Sequence, residues 1–466
     1  MSLGKCETDD GYRGIWWWDT PADNEYKYVY YSGGFATYTA KHIPLAYYSE
    51  TAHKTFFCYG GSYRDRNRIL AMVSCYDHAT GTVPRPTILM DKGTADAHDN
   101  PVLMLDDQGH IWVFVSAHGT ARPAYVFKSD KPCSVDAFEC LQETNFSYPQ
   151  PWYVRDHGFL FLHTRYRGGR FLYVQTSPGG TDWSPPRALS KICHGHYQVS
   201  WRTGRRVGTG FNYHPFKAPG PPRTNLYYLQ TDDFGETWKN AAGEDVDLPL
   251  VCPDNGAIVH DYEKMGLQVF VKDLNFDAHG NPVVLILTSR GMETGPRNDP
   301  RIWTTARWTG DEWEMREAFP SDNNYDAGGL HIEPDGAWRI IAPTETGPQP
   351  YNTGGEVAVW TSGNEGAEWE KIRTATRGSI YNHTYVRRPV NAHSEFYAFW
   401  ADGHTREPSD SRLYFCDRSG ERVFRLPVRM TGDQQVPERV IPLANGEEIE
   451  ATGDSGRRPR SGKAFR

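Results

Sequence analysis

The chain repeats one order of segments. A polar or histidine-bearing stretch leads into a short strand, a turn follows, and a strongly apolar run comes next. The turns include Asp107-Gln108-Gly109, Asp156-His157-Gly158, Ala278-His279-Gly280 and Pro334-Asp335-Gly336. The apolar runs behind them are Ile111 to Val115, Phe159 to Leu162, Val283 to Leu287 and Trp338 to Ile341. Short apolar runs bounded by turn residues fit strands buried on both faces. Setting the first member of each unit at His42, His98, Tyr148, Tyr197, Tyr262, Asp326 and Asn382 leaves gaps of about 50–65 residues, the length of a four-stranded blade with long loops. Seven units fill residues 31–430. The pattern therefore predicts an all-β, seven-bladed β-propeller. Six or eight blades also fit, because the first and last units are the weakest. Residues 1–30 read as an N-terminal extension that packs on the ring or closes it, and residues 431–466 as a C-terminal extension; one or other end is expected to close the ring by completing a blade.

Composition agrees. The 466 residues include 45 Gly, 32 Pro, 15 Trp, 27 Tyr and 21 Phe. Gly and Pro break helices, and aromatic side chains suit a pleated surface. That mix excludes a helical bundle, and the aromatic content excludes a disordered chain. No apolar run is long enough for a transmembrane helix. The net charge of −8 lacks the basic face that nucleic acid needs. The basic tail Arg457, Arg458, Arg460, Lys463 and Arg466 reads as a solvated end. Eight cysteines form no C-x-x-C pair, which argues against a zinc ribbon. Most read as buried thiols; Cys133 with Cys140, or Cys58 with Cys75, are the pairs an oxidising compartment would join. Met1 to Lys5 lacks the apolar core of a signal peptide.

A shorter motif sits inside the units. Thr231-x-Asp233-x-Gly235-x-Thr237-Trp238 recurs as Ser362-x-Asn364-x-Gly366-x-Glu368-Trp369, and in degraded form from Ser177 to Trp183. It resembles the Asp-box (BNR) hairpin. In that hairpin the acid accepts backbone hydrogen bonds across a turn, Gly supplies positive φ and Trp packs beneath. The box is structural and carries no chemistry.

If the units are blades, their first residues converge at one mouth of the central channel. That set is His42, His98, Tyr148, His196, Tyr197, His260, Tyr262, Asp326, His331 and His383. Histidine and tyrosine are proton donors and acceptors, although they also fill polar channels without any chemical role. Cys193-His194-Gly195-His196 has metal-ligand residue types, but loop packing is the simpler reading. No spacing singles out a carboxylate pair for glycoside hydrolysis. A sialidase of the Asp-box type would carry an arginine in an R-I-P-like segment, and Lys41-His42-Ile43-Pro44 has none. Trp16-Trp17-Trp18 reads as an N-terminal clamp on the propeller face, with sugar stacking as the alternative.

Two longer segments carry a family resemblance. His98-Asp99-Asn100-Pro101-Val102-Leu103 runs on through Asp106, Gly109, Ile111 and Val113 to His118-Gly119. Ser147-Tyr148-Pro149-Gln150-Pro151 is followed by Gly158-Phe159-Leu160 and, at the end of that strand, Arg165. Together with the Asp boxes these resemble the BNR-4 propellers, a group that includes ulvan lyases, rhamnosyl-glucuronate lyases and related α-L-rhamnosidases. The resemblance implies a catalytic cluster of His98, His118, Tyr148 and Arg165, with Arg167 one step away as a substitute. It implies Arg223, Tyr213, His214, Tyr197 and His42 as substrate-binding residues. Such residues suit β-elimination: a guanidinium neutralises a uronate carboxylate while a His/Tyr pair moves protons.

The expectation is thus a polysaccharide lyase on a uronate-containing, rhamnose-linked, ulvan-like glycan. An exo-acting α-L-rhamnosidase relying on His42 is one alternative, and a non-catalytic glycan-binding propeller is another. No cofactor is expected and no residue is assigned to a metal, with a structural zinc or calcium ion in or near the channel left open. An acidic oligo- or polysaccharide is the expected partner, with no nucleic acid and no membrane span. The chain is expected to act as a monomer, secreted or periplasmic.

Overall fold

The computed structural model describes residues 4–16, 25–26, 41–216 and 223–442. Trp17, Trp18 and the basic tail lie outside the described residues.

Seven antiparallel sheets follow one another along the chain. Blade 1 comprises Ala46–Ser49, Lys54–Ser62, Ile69–Asp77 and Thr87–Asp91. Blade 2 comprises Pro101–Leu105, Ile111–Val115, Ala124–Ser129 and Phe138–Thr144, and blade 3 Ser147–Val154, Gly158–Tyr166, Arg170–Ser177 and Arg187–Ser190. Blade 4 comprises Gln198–Thr203, Arg206–Tyr213, Thr224–Thr231 and Ile258–His260, and blade 5 Gln268–Phe276, Pro282–Ser289, Arg301–Trp308 and Trp313–Ser321. Blade 6 comprises Gly329–Ile332, Trp338–Glu345, Glu356–Ser362 and Glu370–Thr374. Blade 7 comprises Asn382–Arg387, Ala398–Gly403, Leu413–Cys416 and Val423–Arg425, with Glu438–Val440 as a fifth strand. The fold is the all-β, seven-bladed β-propeller that the repeat pattern predicts.

The unbroken apolar runs have a simple cause. Every residue of Pro101–Leu105, Ile111–Val115 and Leu413–Cys416 is buried, because each blade is covered by a neighbour on both faces. The outermost strands, such as Glu370–Thr374, face solvent and are charged. Around the axis, polar side chains stitch blade to blade. Gln150 donates to the Gln198 carbonyl, and Asn275 to that of Leu330.

The Asp boxes are the hairpins between third and fourth strands of blades 3, 4 and 6. Asp233 accepts from the Thr237 N–H at 3.0 Å and the Thr237 hydroxyl at 2.6 Å, while Thr231 Oγ1 accepts from the Gly235 N–H. Asn364 and Ser362 repeat the arrangement. The degraded box turns at Gly180, where φ is +79° and a Cβ would lie 2.5 Å from the Trp112 ring of blade 2. Its glycine is thus required twice, by conformation and by close approach.

Both ends of the chain take part where blades 1 and 7 meet. Among the described residues the N-terminal segment adds no strand to a sheet: it makes isolated bridges at Thr8–Thr87 and Gly14–Gly61. It is held between the two ends of the ring, with Tyr12 N–H on the Pro427 carbonyl and Ile15 N–H on that of Gly60. Gln434–Gln435 pairs with Val83–Pro84, and Tyr47 bridges Val390. Blades 1 and 7 therefore meet edge against edge. Glu438–Val440, in the stretch read from sequence as a C-terminal extension, belongs to blade 7. All eight cysteines are free thiols, so neither anticipated pair is joined. Among the described residues no helix is long and apolar enough to cross a membrane.

Candidate functional site

The site begins with a turn. Asp96 caps the 3-10 turn Ala97–Asp99, accepting the His98 N–H at 3.0 Å, and Pro101 then opens the inner strand of blade 2 at a position that needs no donor. The same carboxylate holds two imidazoles. Oδ1 lies 2.5 Å from His98 Nδ1, and Oδ2 lies 2.7 Å from His118 Nδ1. The rings stack at 3.9 Å with 14° between their planes. Arg122 donates to Asp96 Oδ2 at 2.9 Å and grips Asp99 through two nitrogens. Burial opposes ionisation of Asp96, but the bonds to His118 and His98 outweigh it and hold its acid well below the usual carboxylate range. Burial pulls His98 below its ordinary value despite the carboxylate. A carboxylate on Nδ1 fixes the Nδ1–H tautomer, leaving the lone pair of each ring on Nε2. His118 is the accessible member: its side chain is 39 % exposed, against 5 % for His98.

Tyr148 enters from blade 3. The pairing register slips between Ser147 and Gln150, and Tyr148 has a φ of +51°. That bulge turns its ring toward the histidines, with the centroid 6.1 Å from His98 and 5.6 Å from His42. Its hydroxyl lies 3.1 Å from that of Tyr166. Burial, reinforced by Tyr197 and Tyr166, raises Tyr148 well above the ordinary phenol value; Tyr166 is pushed up to about 12, chiefly by burial.

Arg165, expected from sequence in the cluster, lies apart from the histidine pair. Side chains alternate along a strand, so Arg165 and Tyr166 face opposite sides of blade 3. Arg165 lies with His163, donating to its Nε2 at 3.2 Å and to Gln175 at 3.3 Å, away from the histidine pair. Arg170 stands directly across the hairpin from Tyr166 and shares its face. It donates to the Tyr197 hydroxyl at 2.6 Å, with its guanidinium 4.5 Å from that ring centroid. Arg223 approaches the same ring at 4.7 Å and donates to Tyr325 at 3.1 Å. Among the described residues no carboxylate lies within ion-pair distance of Arg170.

Of the residues read from sequence, His98, His118, Tyr148, Tyr197 and Arg223 are thus brought together. His214 joins them, its ring edge-on to Tyr197 at 5.1 Å. His42 lies beneath as support: it is fully buried, and Nε2 contacts the His98 carbonyl at 3.0 Å. Tyr213 turns away, donating to Glu263 beside Tyr227. Of the wider set, His260 sits on the outer strand of blade 4, His331 stacks on Tyr397, and His383 bonds Trp400 and Ser379. His196 is locked to the Asn212 carbonyl. A small pocket next to His42 is lined by Trp201, Lys272, Arg387 and the Arg388–Asp273 ion pair.

Asp96, Tyr166, Arg170 and Tyr325 escaped sequence reading. The signal for Tyr166 and Arg170 was available in strand parity and hairpin pairing; Asp96 is hidden as an ordinary turn acid. Asp96, His98 and His118 also have the donor types of a metal site, but the carboxylate already accepts a hydrogen bond from each ring.

Such a cluster can do proton transfer beside a bound anion. It offers a carboxylate-oriented imidazole with an open nitrogen, a pair of phenols kept protonated, and two guanidinium groups. It does not offer the two free carboxylates of common glycoside hydrolysis, since Asp96 and Asp99 are both engaged.

A curated ulvan lyase of Nonlabens ulvanivorans is 23% identical over 318 residues, 60% of this chain and 66% of that protein, just under two thirds of its length. An ulvan lyase of Alteromonas sp. (strain LOR) is 22% identical over 460 residues, 86% of this chain and 89% of that protein. A solved PL25 ulvan lyase superposes with a TM-score of 0.67 at 17% identity, covering 87% of this chain and 95% of that one. The profile described as BNR repeat-containing family member matches residues 54–319, more than half of the chain and including every residue of the cluster from Asp96 to Arg223. The chain belongs to the BNR repeat-containing family.

Proposed function

We propose that this protein is a polysaccharide lyase that cleaves an ulvan-type, uronate-containing glycan by β-elimination. The observation that carries the reading is the facing arrangement of the Asp96-oriented histidines, the buried Tyr148–Tyr166 pair and the arginines Arg170 and Arg223. The relatives named as ulvan lyases support the substrate class.

The uronate carboxylate sits on Arg170 and Arg223, where charge neutralisation lowers the cost of the enolate-like intermediate. His118 Nε2 takes the C5 proton. The C5–H electron pair becomes the C4–C5 double bond as the C4–O bond breaks. Tyr148, held protonated by burial, donates its proton to the departing oxygen, with Tyr166 hydrogen-bonded behind it. General acid–base assistance of this kind contributes roughly 10²–10⁴-fold. Asp96 is a positioning residue: it holds both rings in one tautomer. The reading carries with it a monomeric, secreted or periplasmic enzyme that needs no cofactor.

The test is a panel of ulvan, gum-arabic-type and pectin-derived oligosaccharides, followed at once by near-ultraviolet absorbance and by new reducing ends. Elimination raises both together on ulvan fragments. Reducing ends without absorbance would refute it in favour of hydrolysis.

A further inference from the structure

A second cluster of histidines lies far from the first, where the two ends of the ring meet. His53 sits in the turn between the first two strands of blade 1, and His78 just after the third. His393 and Glu395 come from the loop between the first two strands of blade 7. These turns lie at the opposite end of the inner strands from His98 and Tyr148. Nearly the whole propeller separates His78 from His393 in sequence, yet their ring centroids are 4.0 Å apart. His53 stands 5.4 Å from His78 and 5.5 Å from His393.

The donor atoms of His78, His393 and Glu395 lie within 4.8 Å of one another. The details suit an ion between them. His78 Nε2 faces the Thr55 hydroxyl at 2.8 Å, an oxygen able to accept its N–H in the tautomer that carries the lone pair on Nδ1. That Nδ1 is 3.4 Å from Glu395 Oε2, long for a hydrogen bond. Two donors on one tetrahedral zinc, each about 2.0–2.2 Å from the metal, stand about 3.3–3.6 Å apart. His53 Nδ1 is matched with the Tyr48 hydroxyl at 3.0 Å, which leaves Nε2. His393 Nδ1 receives only a long 3.3 Å bond from the Glu395 N–H, weak enough to give way to a metal. The His78 side chain is fully buried, and Tyr48 packs on all three rings. Three imidazoles and one carboxylate select a zinc-like ion and disfavour calcium, which takes oxygen ligands.

We propose that His78, His393 and Glu395, with His53 as fourth donor, form a structural zinc site that staples blade 1 to blade 7. Such a device suits this seam, because among the described residues no blade is shared between the two ends of the ring. An ion bound only by the folded chain adds stability in proportion to its occupancy. The site is independent of the lyase reading and is tested without substrate.

The full chain is stripped with chelator and titrated with zinc alone, followed by dialysis with metal analysis, by thermal unfolding, and by the visible spectrum of a cobalt-substituted sample. The wild-type chain is expected to take up zinc with a raised unfolding midpoint and to give the spectrum of tetrahedral cobalt. His393→Ala and Glu395→Gln, both on a partly exposed loop, are expected to keep the fold by circular dichroism and to lose zinc affinity by about 100-fold or more. His118→Ala, in the other histidine cluster, keeps the zinc and its midpoint shift. Absence of zinc uptake by the wild-type chain overturns the proposal. So does zinc uptake that survives both loop substitutions or vanishes in His118→Ala.

Discussion

Replacing Asp96 by Asn changes one atom and tests the whole proton-transfer arrangement. Asp96 accepts four bonds: from the His98 N–H, His98 Nδ1, His118 Nδ1 and Arg122. All four partners are donors. An asparagine side chain keeps one acceptor oxygen and turns the other position into a donor. Whichever way it rotates, one imbalance remains. With its oxygen toward His98, the amide N–H faces His118 Nδ1, and His118 relieves the clash by moving its proton to Nε2. The lone pair needed for the C5 proton is then gone. Loss of general-base action costs about 10²–10⁴-fold, and a carboxylate-to-amide change that reverses a histidine tautomer lies at the upper end. The expected result is a kcat lowered by about 10³–10⁴-fold with KM within a few-fold, because Arg170 and Arg223 stand on other blades and are untouched. Stability falls by about 2 kcal/mol, the range for one or two charge-assisted bonds, since Arg122 keeps its double grip on Asp99. Asp99→Asn is the control: it weakens Arg122 but touches neither ring. It is expected to cost stability while kcat stays within about threefold. The assay is initial rate by near-ultraviolet absorbance on ulvan fragments, with urea unfolding for stability. A kcat for Asp96→Asn within tenfold of wild type, or an equal fall in Asp99→Asn, would refute the reasoning.

Three further outcomes are expected. Arg170→Ala lowers kcat/KM on uronate substrates by about 10²–10³-fold, as for removal of one strong anion-stabilising donor, whereas Arg165→Ala leaves it within about fivefold; the reverse order in the same assay would return Arg165 to the site. Gly180→Ala destabilises the fold by about 2–4 kcal/mol in urea unfolding, summing the positive-φ penalty and overpacking against Trp112, and a loss under 1 kcal/mol contradicts it. Burial, with Arg165 beside it, lowers His163 to about 3, so the unfolded state binds its proton first as pH falls. The stability this neutral histidine provides is complete above its unfolded value near 6.5 and is lost progressively down to about pH 3, about 2 kcal/mol of it by pH 5. His163→Gln should flatten the pH 7-to-5 slope of the unfolding free energy by that amount, and an unchanged slope rejects the assignment.

The fold was legible because its determinants are local. Apolar runs such as Ile111 to Val115 and the boxes at Asp233 and Asn364 each report a strand or a turn within a few residues, and the blade repeats them. That His98, His118 and Tyr148 lie together was legible because they open or follow strands of consecutive blades. The face that Arg165 occupies was not legible, because one residue of parity decides it and only the hairpin register, with Tyr166 opposite Arg170, fixes it. Asp96 was invisible because its role depends on His118, twenty-two residues away and brought back by the turn after Ile111–Val115. The details of ring closure were hidden because the Thr8 and Gly14 bridges and the Gln434–Gln435 pairing with Val83–Pro84 have no local signature.

The edge-to-edge meeting of blades 1 and 7 has a consequence for how this molecule can be cut and rejoined. Every blade is built from one continuous stretch of chain, and the proton-transfer cluster is assembled from residues 96–223 in neighbouring blades 2, 3 and 4. Nothing in that cluster passes through the closure. A circular permutant opened in the exposed loop between blades 6 and 7, with residues 442 and 4 joined by a flexible linker, would keep the arc that carries the chemistry intact, Tyr325 included, while making the present seam an internal connection. Ring integrity and active-site assembly are separable properties of this chain, and the first can be re-engineered without rewriting the second.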